Sequence, residues 1–144
     1  MKYWLPLFVF GWMILCSEPL TALACRGPFL KSTKEVFDRS TAVFYGRVLN
    51  LVEIGPYPTL PSSKIYEARF QVYRWWKGES KKEVSVRFDT TTCGARFDKD
   101  QNYVVFASGS PLGSSAMSMN RLILKPNEEL KSILQEFGSG KIPL

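Results

Sequence analysis

No histidine occurs among the 144 residues. Ser–His and Cys–His nucleophilic pairs, histidine zinc sites and the commonest general base near neutral pH are therefore excluded. Carboxylate pairs are present, but each has a structural use: Glu128 and Glu129 stand where a helix start favours negative charge, and Asp98 and Asp100 fall in an apparent turn. Of the three cysteines, Cys16, Cys25 and Cys93, no two could supply the four ligands of a structural zinc site. Trp75 and Trp76, with Lys77, Lys81 and Lys82 nearby, could form a stacking and charge platform for glycan or single-stranded nucleic acid. The same residues could instead close the end of a barrel, with the lysines on a solvated turn. The inventory points to a binding protein, not an enzyme, with no cofactor and no metal of its own.

The cysteines acquire meaning from the start of the chain. Lys2 is followed by an apolar run of about 13 residues, Trp4 to Cys16, which is the length of a secretory signal core and short of the roughly 20 residues of a spanning helix. Ser17-Glu18-Pro19-Leu20-Thr21 interrupts the run, and Ala22-Leu23-Ala24 places small residues first and third before a cut. Residues 1–24 thus read as a cleavable signal, with Cys25 as the first residue of the mature chain and 25–144 as its domain; an uncleaved anchor is the alternative. Cys16 would leave with the signal, and the two remaining cysteines would enter a compartment where disulfides persist, secreted or periplasmic. An even count favours one bridge, closing a loop of about 69 residues and contributing roughly 4 kcal/mol through loss of unfolded-chain entropy. Two free buried thiols are the other possibility. A cysteine directly after a signal also allows a lipoprotein whose thiol carries a diacylglycerol, and membrane attachment with it. Against this stand Glu18 and Pro19, which separate the apolar core from the cysteine, and Ala22, where a large aliphatic residue would be expected.

Lysine and arginine number 19 against 13 acidic residues, a net charge of +6, and removing Lys2 and Glu18 leaves that balance unchanged. On an exported protein this reads as solubility and attraction to acidic surfaces, with no nucleic-acid partner required. No repeat or low-complexity tract divides the mature chain, so it forms one domain. Arg26-Gly27-Pro28 reads as extended. Ser32-Thr33-Lys34-Glu35 is a capping box opening a short helix to about residue 40. Residues 42–54 read as a long strand, bent at Gly46, and residues 55–63, rich in proline and glycine, as a loop. Tyr66, Ala68, Phe70 and Val72 alternate with polar partners in a second strand that Trp75-Trp76-Lys77-Gly78 ends, and Val84, Val86 and Phe88 alternate in a third. Residues 103–107 give a fourth strand and 122–124 a short fifth. Leu130, Ile133, Leu134 and Phe137 form one apolar stripe on a final helix that Gly138 caps. Five strands and two helices in about 120 residues predict a mainly β protein, a five-stranded OB-fold barrel.

The ordered segments resemble a known family. Cys25; Ala42-Val43-Phe44-Tyr45-Gly46-Arg47-Val48; a strand ending in Trp76-Lys77-Gly78; Cys93-Gly94; and Tyr103-Val104-Val105-Phe106 are similar, in order and spacing, to the tissue inhibitors of metalloproteinases and their short bacterial relatives in the netrin-like group. The likeness covers most of the mature chain. It implies a Cys25–Cys93 disulfide and a zinc metalloprotease as partner, the free α-amine and carbonyl of Cys25 chelating that protease's zinc. It further implies that Arg26 enters the primary specificity pocket, Gly27 lies beside it, and Thr91, Thr92 and Gly94 form an adjacent contact ridge. A non-inhibitory adhesion or envelope-scaffold module on the same barrel is the competing reading, and an oligosaccharide or extracellular nucleic-acid binder working through Trp75 and Trp76 is a third.

Overall fold

The computed structural model describes Cys25 and residues 32–144. The expected signal 1–24, and Arg26, Gly27 and Pro28, lie outside the described residues. Helix α1 (Thr33–Arg39) starts where the capping pattern placed it: the Ser32 hydroxyl accepts from the Glu35 amide at 3.2 Å. At its end the Lys77 ammonium donates to the carbonyls of Phe37 and Asp38, at 3.0 and 2.7 Å, supplying cations where the helix dipole is negative.

Strands β1 (Ala42–Tyr57), β2 (Leu60–Lys77), β3 (Glu83–Asp89), β4 (Asn102–Ala107) and β5 (Arg121–Leu122) form one antiparallel sheet in the order β3-β2-β1-β4-β5. Two burial patterns account for the two kinds of strand sequence. β2 and β3 cover the core with one face, so Ala68, Phe70, Val72 and Val86 are buried while Arg69, Gln71, Ser85 and Arg87 face solvent. β4 and the first five residues of β1, Ala42–Gly46, are buried on both faces. Phe44, Val48, Tyr103 and Val105 join the core inside the curved sheet, while Val43, Tyr45, Val104 and Phe106 meet Val36 of α1 and Ile133 of α2 (Pro126–Phe137) outside it. That double coverage is why both strands read as continuous apolar runs. The expected bend at Gly46 is present as a shift of the β1–β2 register between Tyr45 and Gly46.

Two expectations are corrected. Residues 55–63 are not a loop: β1 runs to Tyr57, β2 starts at Leu60, and the pairing continues to Tyr57 opposite Leu60. Proline is tolerated there because β1 runs past the end of β4, which pairs only with Ala42–Arg47, so the outer edge at Pro56 has no strand beside it. Pro56 lies opposite Lys64, whose N–H and C=O both turn away to Thr90, at 2.8 and 2.9 Å, so no ladder bond at this pair requires the missing proline N–H. The fifth strand is also shorter than expected. Ile123 is buried, but Leu124 is 69% exposed and donates its N–H to Glu129 Oε2 at 2.9 Å, as Lys125 does at 3.2 Å, so a carboxylate at the start of α2 draws the chain out of the sheet.

The sheet is not closed into a barrel. Between β3 and β5 the gap is partly spanned by the chain after β4: Arg87 donates to Leu112 O at 2.8 Å and accepts from the Ser114 amide at 2.9 Å, making a parallel bridge to Gly113.

Candidate functional site

Cys25 and Cys93 are joined by a disulfide, with an S–S distance of 2.04 Å and Cα atoms 5.3 Å apart. The bridge sets aside the free-thiol reading, and a sulfur so engaged cannot also carry a diacylglycerol. A disulfide fits an oxidising, extracellular or periplasmic compartment, and no helix among the described residues is long and apolar enough to cross a membrane.

Cys93 lies in a turn that leaves β3 and is fastened on three sides. Within the turn, Asp89 Oδ1 accepts from the Thr91 amide at 2.9 Å and from the Thr91 hydroxyl. That hydroxyl oxygen in turn accepts from the Cys93 amide at 3.2 Å, and Gly94 N donates to Thr91 O at 3.1 Å. Toward the ribbon, Thr90 makes its two bonds to Lys64. Toward the chain after β4, the Ala116 amide donates to Cys93 O at 3.0 Å, and Gly94 forms a bridge with Ser115.

The third anchor is itself stiffened. Residues Ala116–Ser118 form a single 3-10 turn in which Ser115 and Ser118 cap each other reciprocally. Asn120 then donates to Ser114 Oγ at 2.8 Å and accepts from the Phe106 amide at 2.9 Å, tying the segment to β4.

Of the proposed contact residues, Thr92 is exposed, Thr91 is half-buried with its hydroxyl used inside the turn, and Gly94 is buried. Gly94 is needed for lack of bulk: a Cβ there would run into the Asp89 carbonyl, lying 2.7 Å from its carbon and 2.8 Å from Asp89 Oδ1. The turn stands between two hollows that share Ser115 at their border. One of about 620 Å³ is lined by Val36, Ile65, Phe88, Asp89 and Met117, and one of about 380 Å³ by Thr92, Arg96, Asp98, Tyr103 and Leu122. In the smaller hollow burial raises the Tyr103 phenol above its usual pKa. Its oxygen accepts from the Asp98 amide at 3.0 Å, and its proton lies toward Asp98 Oδ2 at 3.4 Å.

Three of the four carboxylates weighed as chemical groups have structural partners: Asp98 has Tyr103, Asp100 pairs with Arg47 at 3.0 Å, and Glu129 accepts from the Leu124 and Lys125 amides ahead of α2. The two tryptophans face opposite sides of β2. Trp75 is 3% exposed in the inner core with its indole N–H on Lys81 O at 2.8 Å, whereas Trp76 packs on Phe137 and donates to Gly138 O at 2.9 Å. They form no exposed stacking pair, and Lys77 is committed to α1. Trp75 belongs to the inner core and Trp76 packs with the outer cluster around Phe137. Asp89 and the segment around Ser115 were not evident as site residues from sequence. The one local signal is Asp89 two residues before a threonine, a spacing at which an Asp side chain folds back on the backbone.

Set against known proteins, the chain matches no family model and no curated protein.

Replacing Cys93 with serine should cost about 2–5 kcal/mol of stability, the usual loss when a native bridge is removed from a small domain. Urea unfolding of the oxidised wild type and the variant measures it. Coincident midpoints would mean that closing the loop of sequence separation 68 contributes nothing.

Proposed function

We propose that the chain is exported, processed to begin at Cys25, and acts as an inhibitor of zinc metalloproteases with a netrin-like OB fold. The observation that carries the reading is the Cys25–Cys93 bridge, which fastens the expected first residue to a turn held from three sides. A free α-amine has a pKa near 8 and is neutral when it ligates a metal, so an amine and its adjacent carbonyl could take the open positions of a catalytic zinc in a five-membered chelate. Fixing those two groups before binding lowers the ordering cost of association. The strand order β3-β2-β1-β4-β5 and the parallel bridge from Arg87 to Gly113 support the OB reading, since that segment approaches β3 where an OB barrel would close.

Arg26 follows Cys25 directly and would enter the partner's primary pocket, so the best targets should carry a carboxylate there. Proteases with apolar pockets should be poor ones. The test is titration of protein with a native Cys25 amino terminus against bacterial and host zinc proteases that include acidic-pocket members. One-to-one inhibition competitive with a small active-site chelator is expected for at least one acidic-pocket enzyme. Failure against all of them would overturn the reading.

A further inference from the structure

We infer that Thr91 and Asp89 form a positioning pair that holds Cys93, and through the disulfide Cys25, in the one arrangement the bridge requires. The resemblance gives Thr91 a place in the contact ridge, but its hydroxyl is already in use. As donor it faces Asp89 Oδ1; as acceptor it takes the Cys93 N–H at 3.2 Å, so one group links the end of β3 to the backbone of the bridged cysteine. Asp89 is held on its other side by pairing with Ile65, and Thr90, between the two, is held by Lys64. The Thr91 hydroxyl is therefore the joint between the end of β3 and the Cys93 amide, beside the separate contacts that Cys93 and Gly94 make to Ala116 and Ser115. Cys25 is tied to this turn by its disulfide to Cys93.

A side chain that only stabilised the fold would support the reduced and oxidised folded states equally. A side chain that places one sulfur for the other raises their effective concentration, and so shifts the thiol–disulfide equilibrium itself. Thr91→Val keeps the shape and removes the hydroxyl; Thr91→Ser keeps the hydroxyl.

That Cys25 inhibits through its amine is part of the proposed function, and this inference deepens that reading, so its experiment includes a measurement that does not depend on inhibition. Native-terminus wild type, Thr91→Val and Thr91→Ser are equilibrated in dithiothreitol buffers, the oxidised fraction is read by mass, and urea midpoints identify conditions in which each stays folded. The Thr91→Val disulfide should be at least about tenfold easier to reduce, about 30 mV for this two-electron couple, with Thr91→Ser within about twofold of wild type. With the bridge kept oxidised, Thr91→Val should inhibit a sensitive protease at least about tenfold more weakly, and Thr91→Ser should restore inhibition. Equal reduction equilibria for all three proteins would overturn the positioning role, as would a shifted equilibrium with unchanged inhibition. A tenfold redox shift with no inhibition by wild type would support the joint between Thr91 and Cys93 and defeat the inhibitor reading alone.

Discussion

One extra alanine ahead of Cys25 should weaken inhibition of a sensitive zinc protease at least a hundredfold, on the order of what removing a central interface anchor costs. The reason is chemical before it is steric. In the processed chain the Cys25 nitrogen would be a basic amine with a lone pair for zinc. After extension it becomes an amide, whose lone pair is delocalised into the peptide bond and is a poor ligand. The new amine stands about 3.8 Å of chain further out, past the point that the disulfide fixes. Acetylation of the native terminus should have the same effect without the added length. Neither change touches the bridge, so the urea midpoint should stay within about 0.5 kcal/mol of native, as for surface changes generally.

Because the proton competes with zinc for the amine, native inhibition should also strengthen as pH rises toward about 8. Inhibition constants and urea midpoints for the native, extended and acetylated forms test this together. Equal inhibition by native and extended protein would exclude chelation and favour an adhesion or scaffold role in which binding maps to the wall of the sheet. Replacing Arg26 with a small residue should change which proteases respond more than it changes stability.

The parts of this fold that were legible in sequence are those with a repeating physical cause. One-sided burial writes alternation into residues 66–72 and 84–88, two-sided burial writes apolar runs at 42–45 and 103–107, and a half-buried helix writes the stripe from Leu130 to Phe137. The ribbon was hidden because Pro56 and Pro58 argue against strands in general, while the exception depends on a tertiary fact, that the β1 edge at Pro56 runs past the end of β4. The partial bridging of the gap between β3 and β5 was likewise illegible. It depends on how residues 108–115 meet Arg87, and those residues carry only turn-forming composition. At the candidate site, the cysteine count expected after processing favoured the bridge that joins Cys25 to Cys93, with free thiols left open. The spacing of Asp89 two residues before Thr91 was the only local hint as to which of three consecutive threonines turns inward, and the contacts that fix the turn, from Lys64 and Ser115, come from distant parts of the chain.

That dependence on distant partners makes Gly94→Ala the most damaging small substitution expected here, at about 4 kcal/mol or more. Gly94 is not among the residues of left-handed backbone, so alanine would meet no dihedral penalty and the whole effect should be steric. The obstacle is backbone: the added methyl would collide with the carbonyl group that ends β3, and with Asp89 Oδ1 as well. Neither side can retreat cheaply. Asp89 is paired to Ile65 and holds Thr91, while Gly94 is bridged to Ser115 and follows a cysteine whose carbonyl accepts from Ala116. Relief would require breaking the Asp89–Thr91–Cys93 chain of bonds or parting the turn from the segment after β4, and either would strain the adjoining disulfide. The loss should therefore exceed that of Cys93→Ser, which removes the bridge but leaves the turn unobstructed. Gly55→Ala is the control. A Cβ at Gly55 in the ribbon would meet nothing within 4 Å, so that variant should unfold within about 0.5 kcal/mol of wild type. Urea unfolding of the three variants beside wild type gives the ranking, and a Gly94→Ala loss below about 1 kcal/mol would show that the turn can move away from β3 without the consequences argued for it.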